Sequence, residues 1–531
     1  MNPVGVTKRI ESSFQSFFYA FWRNNRANAW REAHFFLNLR HQPIIPTTMK
    51  ISTTGTRHTA VLIAISTLSV MTWAQPRIDP KDYAIDAADV ARAQRLIDSP
   101  LTETVTMPTQ HPDAQWYPKA ALGLFMHWGI HSVAGIQPSW NMIKHYRYGG
   151  KRYYSPRRYY KLADRFKPTL HQDSFLTAAR RAGFAYAVLT ARHHDGYALW
   201  PSKYGIGVRQ HLPGRDLVRE YVEACRRAGL KVGLYFSPRD WHYPEAMEAR
   251  EFNARTRQKT TVITDTVANH RKYVRFLAYV MRQMEELLTQ YGKIDLLWLD
   301  GMGWHGIDES NTEKIYAWVR SMQPGIVIND RWANLVDPDN PNGTQVRIGD
   351  ITTPFECGEP TYIPSPWWEV QDLWTYGGGW GYDRKEYFRP MAWFFNRWTQ
   401  ARSLGGNFLV NVGPRPDGDM PHEFYAKMDS LAQWMVYGRE SVIGTDITPG
   451  PELCNVKVTS RGADTLYAHI MPKGSNQVSL VTARKPARVT LLRTGEEIPF
   501  IHRDGFLHFA IPKERRTAMD DVVRIVFQTM P

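Results

Sequence analysis

Ile294-Asp295-Leu296-Leu297-Trp298-Leu299-Asp300-Gly301 is the stretch on which the fold turns. A short apolar run with no room for a polar face reads as a strand buried on both sides. Such strands belong to parallel sheets covered by helices. The run stops abruptly at a carboxylate and a glycine. In a parallel barrel, strand C-termini open into the loops that carry chemistry.

The same grammar extends in both directions from it. Gly123–Trp128, Phe184–Thr190, Lys231–Phe236, Gly325–Asn329 and Phe408–Val412 are further short apolar runs. Amphipathic stretches at 172–182, 215–229, 269–290, 311–322, 391–404 and 421–437 lie between and after them and predict helices. Alternation of this kind over residues 115–445 predicts an α/β protein with a (β/α)8-like TIM barrel. Past about residue 445 the helical pattern ends. Short runs at 456–460, 465–471, 477–481, 487–493 and 522–528, split by Gly, Pro and Asn, predict a C-terminal β-sandwich over 446–531.

The N-terminal region reads as leader and linker. Met49-Lys50 with Arg57 opens a charged segment; an apolar run from Ala60 to Val70 follows, then Thr72-Trp73-Ala74 before Gln75. This is the layout of a secretory signal peptide over 49–74, too short in its apolar part for a membrane span. Met49 then reads as the initiator and residues 1–48 as upstream sequence translated in error. The alternative is a genuine extension followed by an anchoring helix. A linker and a lead-in helix, Ala87–Leu101, fill 75–114. The expectation is a secreted or periplasmic protein without stable membrane association.

The 531 residues carry a net charge of +15. Without residues 1–74 there remain 58 basic and 49 acidic side chains, a net charge of +9 spread along the chain. That is a solvated basic surface and not a nucleic-acid footprint. Cys225, Cys357 and Cys454 are the only cysteines, so neither a disulfide framework nor a structural zinc site is predicted. Nineteen Trp supply flat faces suited to stacking on sugar rings, although a large core would also absorb them.

Five of the six predicted barrel strands end in a polar or aromatic cluster: His127-Trp128, Arg192-His193-His194-Asp195, Tyr235-Phe236-Ser237, Trp298-Leu299-Asp300 and Asn329-Asp330-Arg331. A purely structural reading does not predict that convergence on one rim. Asp300 is held where a nucleophile would need to be, with a helix N-cap or a loop ion pair as the bland alternative. His193, His194 and Asp195 could be metal ligands, but neighbours at a strand end point in different directions and no third nitrogen or sulfur ligand is evident. Hydrogen-bonding imidazoles are the preferred reading, with no metal. Trp298 and Trp140 could be core residues, although an inward Trp298 at a strand end would form the floor of a pocket. Arg331 would donate to hydroxyls or hold a carboxylate ionised, with surface ion pairing as the alternative. The long loop after Arg331 carries Glu356, Glu359 and Glu369, among which spacing does not choose an acid.

Taken together, GLFMHWGIHSV, ARHHDGYALWPSKYG, IDLLWLDG, INDRW and GGNFLVNVGPRPDG resemble, in order and over residues 115–445, the α-L-fucosidases of glycoside hydrolase family twenty-nine. The resemblance implies a retaining exo-α-L-fucosidase with Asp300 as nucleophile and no cofactor. It implies sugar contacts from His127, His193, His194, Tyr235, Trp298 and Arg331, and a fucosylated glycan as substrate. It favours Glu356 as acid/base and keeps Glu369, beside Trp368, in reserve. Here the family's Glu-Trp pair after the first strand reads Ser139-Trp140, so the tryptophan is present and the acid is not. The rival readings are a galactoside-type exo-glycosidase, a catalytically silent carbohydrate-binding protein and a metal hydrolase. A homo-oligomer is left open.

Overall fold

The structure is a computed structural model. It describes residues 79–100, 106–143, 153–169, 171–245, 265–301, 310–332, 348–377, 379–385, 387–447 and 454–528. The expected upstream extension and signal peptide lie outside the described residues. Among the described residues no helix is long and apolar enough to cross a membrane.

Seven parallel strands form the central sheet: β1 Leu122–Met126, β2 Tyr186–Arg192, β3 Lys231–Phe236, β4 Leu296–Leu299, β5 Val327–Ile328, β6 Glu369–Leu373 and β7 Asn407–Asn411. Their order is β5-β4-β3-β2-β1-β7-β6. Ile351 and Thr352 occupy the eighth position and close the ring. Ile351 bridges Asn329 after β5, and Thr352 bridges Trp368 before β6. The bonds Asp330 N–H to Ile351 O at 2.9 Å and Glu369 N–H to Thr352 O at 3.1 Å carry the ladder across the gap. The six predicted helices are present as Gln172–Arg181, Leu217–Ala228, Thr266–Thr289, Ser310–Met322, Met391–Ser403 and His422–Gly438. The lead-in helix Ala87–Asp98 packs on Thr266–Thr289, where Arg92 forks onto Glu285.

Strand alternation sorts the side chains into two cores. Phe125, Tyr186, Val188, Tyr235, Leu296, Trp298, Val327, Ile351 and Leu409 pack inside the ring on Ala114, Tyr117 and Ala120 of the lead-in. Leu124, Met126, Leu189, Leu297, Leu299 and Val410 face the helices. Gly123 is required in β1 because a Cβ there would fall 2.3 Å from the Tyr186 ring, which fills the space at the barrel's closed end.

Strand β6 was not predicted from the sequence. EVQDL alternates a carboxylate and an amide toward the interior, so it lacks the apolar signature, yet all five residues are buried.

The C-terminal sandwich has antiparallel sheets of five and three strands. One is β12 Glu496–Glu497, β11 Pro486–Leu491, β15 Asp521–Phe527, β9 Thr465–Ile470 and β8 Lys457–Arg461; the other is β10 Gln477–Val481, β14 Phe506–Ala510 and β13 Phe500–Arg503. Strands β12, β13 and β14 were also unforeseen: β12 has two residues, and β13 and β14 expose Ile501 and Phe506 on their outer face, so their alternation is blurred. Polar groups join sandwich to barrel. Trp434 Nε1 donates to Asp520 O at 2.8 Å and Lys457 Nζ to Asn396 O at 2.8 Å.

Candidate active site

A pocket opens at the C-terminal ends of the barrel strands. It is lined by residues from most of the rim, among them His127, Trp140, His193, His194, Tyr235, Trp298, Asp300, Arg331 and Glu356. Its volume is about 100 Å³. Nine of the side chains singled out from sequence therefore line one cavity; Glu369, Glu359 and Asp195 do not.

Asp300 stands at the centre. Leu299 N–H is held by Asn329 Oδ1 at 2.7 Å, which fixes the end of β4. Gly301 then turns the chain away at φ +92°, a conformation that favours glycine. The Asp300 carboxylate accepts from Tyr235 Oη at 2.8 Å and from Arg331 Nε at 3.1 Å. Burial alone would push its pKa up. The charge of Arg331, the Tyr235 hydroxyl and the nearby Arg239 outweigh burial and hold the carboxyl below the usual aspartate range. An ionised carboxylate in a largely buried pocket is the state a nucleophile requires.

The second acid at the mouth is Glu356, whose Oε2 accepts from Arg331 Nη1 at 2.8 Å. One guanidinium thus carries both carboxylates on separate nitrogens, and its face lies over Trp298 at 5.1 Å. Glu356 is half exposed on the loop that follows the barrel-closing link. Glu359 is exposed and outside the pocket.

Glu369 is placed differently. It is fully buried inside the barrel on β6. Its Oε2 accepts from Tyr117 and Tyr186 hydroxyls at 2.8 Å each, and its Oε1 from Trp298 Nε1 at 2.7 Å. Burial pushes this carboxyl up despite those donors. It supports the floor of the pocket from below, with no path to a leaving group.

The three histidines are fixed from behind. His127 Nδ1 lies 2.8 Å from Asn411 Oδ1, and Asn411 Nδ2 donates to Trp380 O at 2.8 Å, so Oδ1 faces the ring and His127 Nδ1 must carry the proton. His193 Nδ1 pairs with Ser139 Oγ and His194 Nδ1 with Ser237 Oγ, both at 2.6 Å. His194 Nε2 stands 3.7 Å from Asp300 Oδ2. Ser237 Oγ also faces Asp300 O at 3.2 Å, so the serine ties the His194 ring to the backbone of the aspartate. Burial lowers all three pKa values, that of His127 to about 4, so the rings are neutral donors and acceptors near pH 7. The carboxylate of Asp195 turns away from the histidines and accepts from Tyr159 Oη at 2.5 Å and Tyr197 N–H at 3.0 Å.

Aromatic rings complete the walls. Tyr235 stacks between His193 at 5.4 Å and Trp298 at 5.5 Å, and Phe125 meets Trp298 at 5.2 Å. Trp140 approaches His194 edge-on at 5.4 Å. Phe125, Arg239, Gln371 and Trp380 also line the pocket and were missed as site residues. Phe125 was accessible to sequence reasoning, since it shares its strand face with His127 two positions on. Arg239 follows β3 on the same rim and donates through Nε to Gly301 O. Gln371 had no signal, because its strand was not recognised.

The family model described as α-L-fucosidase matches residues 90–439. The chain is 26% identical over 349 residues to tissue α-L-fucosidase of Rattus norvegicus, covering 62% of this chain and 70% of that protein. It is 26% identical over 416 residues to α-L-fucosidase of Branchiostoma floridae, covering 73% and 86%. Among solved structures it is similar to α-L-fucosidase isoenzyme 1 from Paenibacillus thiaminolyticus, with TM-score 0.63, 25% identity, and coverage of 78% of this chain and 99% of that one. The fold also matches an α-L-fucosidase from Bacteroides thetaiotaomicron, with TM-score 0.65, 23% identity, and coverage of 81% and 98%.

Proposed function

The chain belongs to the α-L-fucosidase family and is a glycoside hydrolase; from that premise we propose that it releases terminal α-L-fucose from glycans by double displacement, retaining configuration. Asp300 attacks the anomeric carbon while Glu356 gives its proton to the departing glycosidic oxygen. A β-fucosyl ester of Asp300 forms. Glu356, now a carboxylate, takes a proton from water, which attacks the same carbon and frees Asp300. The observation that carries this reading is the shared guanidinium: Asp300 and Glu356 are held on adjacent nitrogens of Arg331 at the pocket mouth. A retaining pair works at about 5 Å.

The neutral histidines and Arg331 bind ring hydroxyls, and Trp298, Tyr235, Phe125 and Trp380 offer apolar surface to the C5 methyl of a deoxysugar. In this reading the enzyme acts in exo fashion on a terminal residue. Glu356 serves as acid/base in this reading, and Glu369 does not. Export through a signal peptide beginning at Met49 is part of the proposal, placing the enzyme where it meets glycans outside the cytoplasm.

The test compares an aryl α-L-fucoside with an aryl α-galactoside, using the wild type, Asp300→Gly and Glu356→Ala. Fucoside turnover with retained configuration, abolished by Asp300→Gly, is expected. Glu356→Ala should slow substrates with poor leaving groups far more than an activated aryl fucoside. Preference for the galactoside, or full turnover by Asp300→Gly, would overturn the reading.

A further inference from the structure

Gln371 sits on β6 with its side chain in the pocket lining, 1% exposed. Its amide Nε2 is 3.3 Å from both the backbone oxygen and Oε1 of Glu369. A backbone carbonyl only accepts, so the nitrogen must face Glu369 and the side-chain oxygen must face away from it. That oxygen, Oε1, is buried and has no hydrogen-bond partner among the described residues. An amide carbonyl left this way costs roughly 1–3 kcal/mol and calls for an explanation. The residue's own backbone oxygen accepts from Cys357 N–H at 2.8 Å, next to Glu356. The glutamine therefore stands at the side of the pocket where the proposed acid is anchored.

We infer that Gln371 is a substrate-binding residue whose side-chain carbonyl accepts a hydrogen bond from one hydroxyl of the bound sugar, with Glu369 as the positioning residue that fixes the amide. Glu369 serves two pocket groups at once, since its Oε1 also holds the Trp298 indole. The strand that places Gln371 thereby sets floor and wall together. The inference rests on the fucosidase reading and adds a specificity determinant to it. A sugar lacking the partner hydroxyl would leave the carbonyl unpaired and be rejected for that reason.

The experiment is a double-mutant cycle between protein and substrate. The wild type, Gln371→Leu and Gln371→Met are assayed for kcat and KM on an aryl α-L-fucoside and its 2-, 3- and 4-deoxy analogues. Melting temperatures are recorded alongside. Both variants keep the volume and remove the acceptor, and with it the two long 3.3 Å donations to Glu369. Loss of those donations opposes relief of the unpaired carbonyl, so melting temperatures should shift by only a few degrees. Their kcat/KM on the full sugar should fall about 10- to 100-fold. The wild type should lose a similar factor on one deoxy analogue, and the variants should lose less than about threefold on that same analogue. Equal losses in wild type and variants at every position would show that Gln371 touches no sugar hydroxyl and overturn this inference alone. A wild type inactive on every fucoside would overturn the function reading and this inference with it.

Discussion

Arg331 holds Glu356 through Nη1 at 2.8 Å while its Nε holds Asp300 at 3.1 Å. The bridge has two jobs. It holds the Asp300 pKa down and, in the proposed mechanism, places the loop acid beside the carbon that Asp300 would attack. Arg331→Met should lower kcat/KM by about 10²–10³, the scale for losing one preorganised electrostatic contact. The pH dependence gives a sharper check. Asp300 must be a carboxylate, and its pKa is now depressed with Arg331 as a main cause. Removing the cation raises that pKa, so the acid limb of kcat/KM should move to higher pH. Arg331→Lys keeps charge but not the fork, and should shift the limb less while losing comparable rate.

The buried histidines predict an acid-sensitive stability. The pKa of His127 is held at about 4, against an ordinary value of 6.5. Between those values the unfolded chain binds a proton that the folded chain refuses. Stability is therefore full above about pH 6.5 and lost as pH falls toward 4, on the order of 3 kcal/mol for this ring at 1.36 kcal/mol per unit. His193 and His194 shift the same way and deepen the slope. Melting temperatures measured from pH 8 to pH 4 should fall through this window. His127→Gln, which keeps an amide for Asn411 but cannot titrate, should flatten part of the fall.

What the sequence revealed, and what it hid, follows from how strands are recognised. Leu296–Leu299 and Lys231–Phe236 were legible because residues packed on both faces are almost all apolar. Glu369–Leu373 was hidden because its inward face carries a carboxylate, whose partners Tyr117, Tyr186 and Trp298 come from distant segments, and an amide turned onto that glutamate. Ile351 and Thr352 close the barrel with too few residues to leave a pattern. The rim rule found Asp300, His127, His193, His194, Tyr235 and Arg331, because they directly follow recognisable strands or end them. It could not separate Glu356 from Glu369. One sits on an exposed loop and the other on an unseen strand, and only coordinates distinguish those positions.

Tyr159 predicts a binding defect without a chemical one. Its hydroxyl donates to Asp195 Oδ2 at 2.5 Å and accepts from Ser139 N–H at 2.9 Å. Ser139, at φ +57°, precedes Trp140 and bonds His193 through Oγ. Tyr159→Phe leaves a buried N–H unpaired and takes a donor from a buried carboxylate, which should cost about 1–3 kcal/mol of stability. Trp140 and His193 should lose their fixed placement, while Asp300 and Glu356 keep theirs. KM for an aryl fucoside should rise several-fold, with kcat within about threefold of wild type. A fall in kcat matching the rise in KM would show that this network reaches the reacting atoms.

Gly301 offers a test of how tightly the proposed nucleophile is held. At φ +92°, a Cβ on this residue would lie 2.9 Å from Arg239 Nε and 3.2 Å from its Cδ. Gly301 N–H also donates to Arg331 O at 3.1 Å, and its carbonyl accepts from Arg239 Nε. Alanine here brings about 1–3 kcal/mol of backbone strain and pushes on the arginine that helps keep Asp300 ionised. Strain alone would lower only stability. Gly214 supplies the control, since it has φ +82° and nothing within 4 Å of a Cβ. Gly214→Ala should therefore lose melting temperature with kcat unchanged. Gly301→Ala should lose melting temperature and about 10- to 100-fold in kcat, because displacements of an ångström at the attacking group carry costs of that order. Equal kcat for the two alanine variants would mean that Asp300 is placed by β4 alone and that the turn after it carries no catalytic constraint.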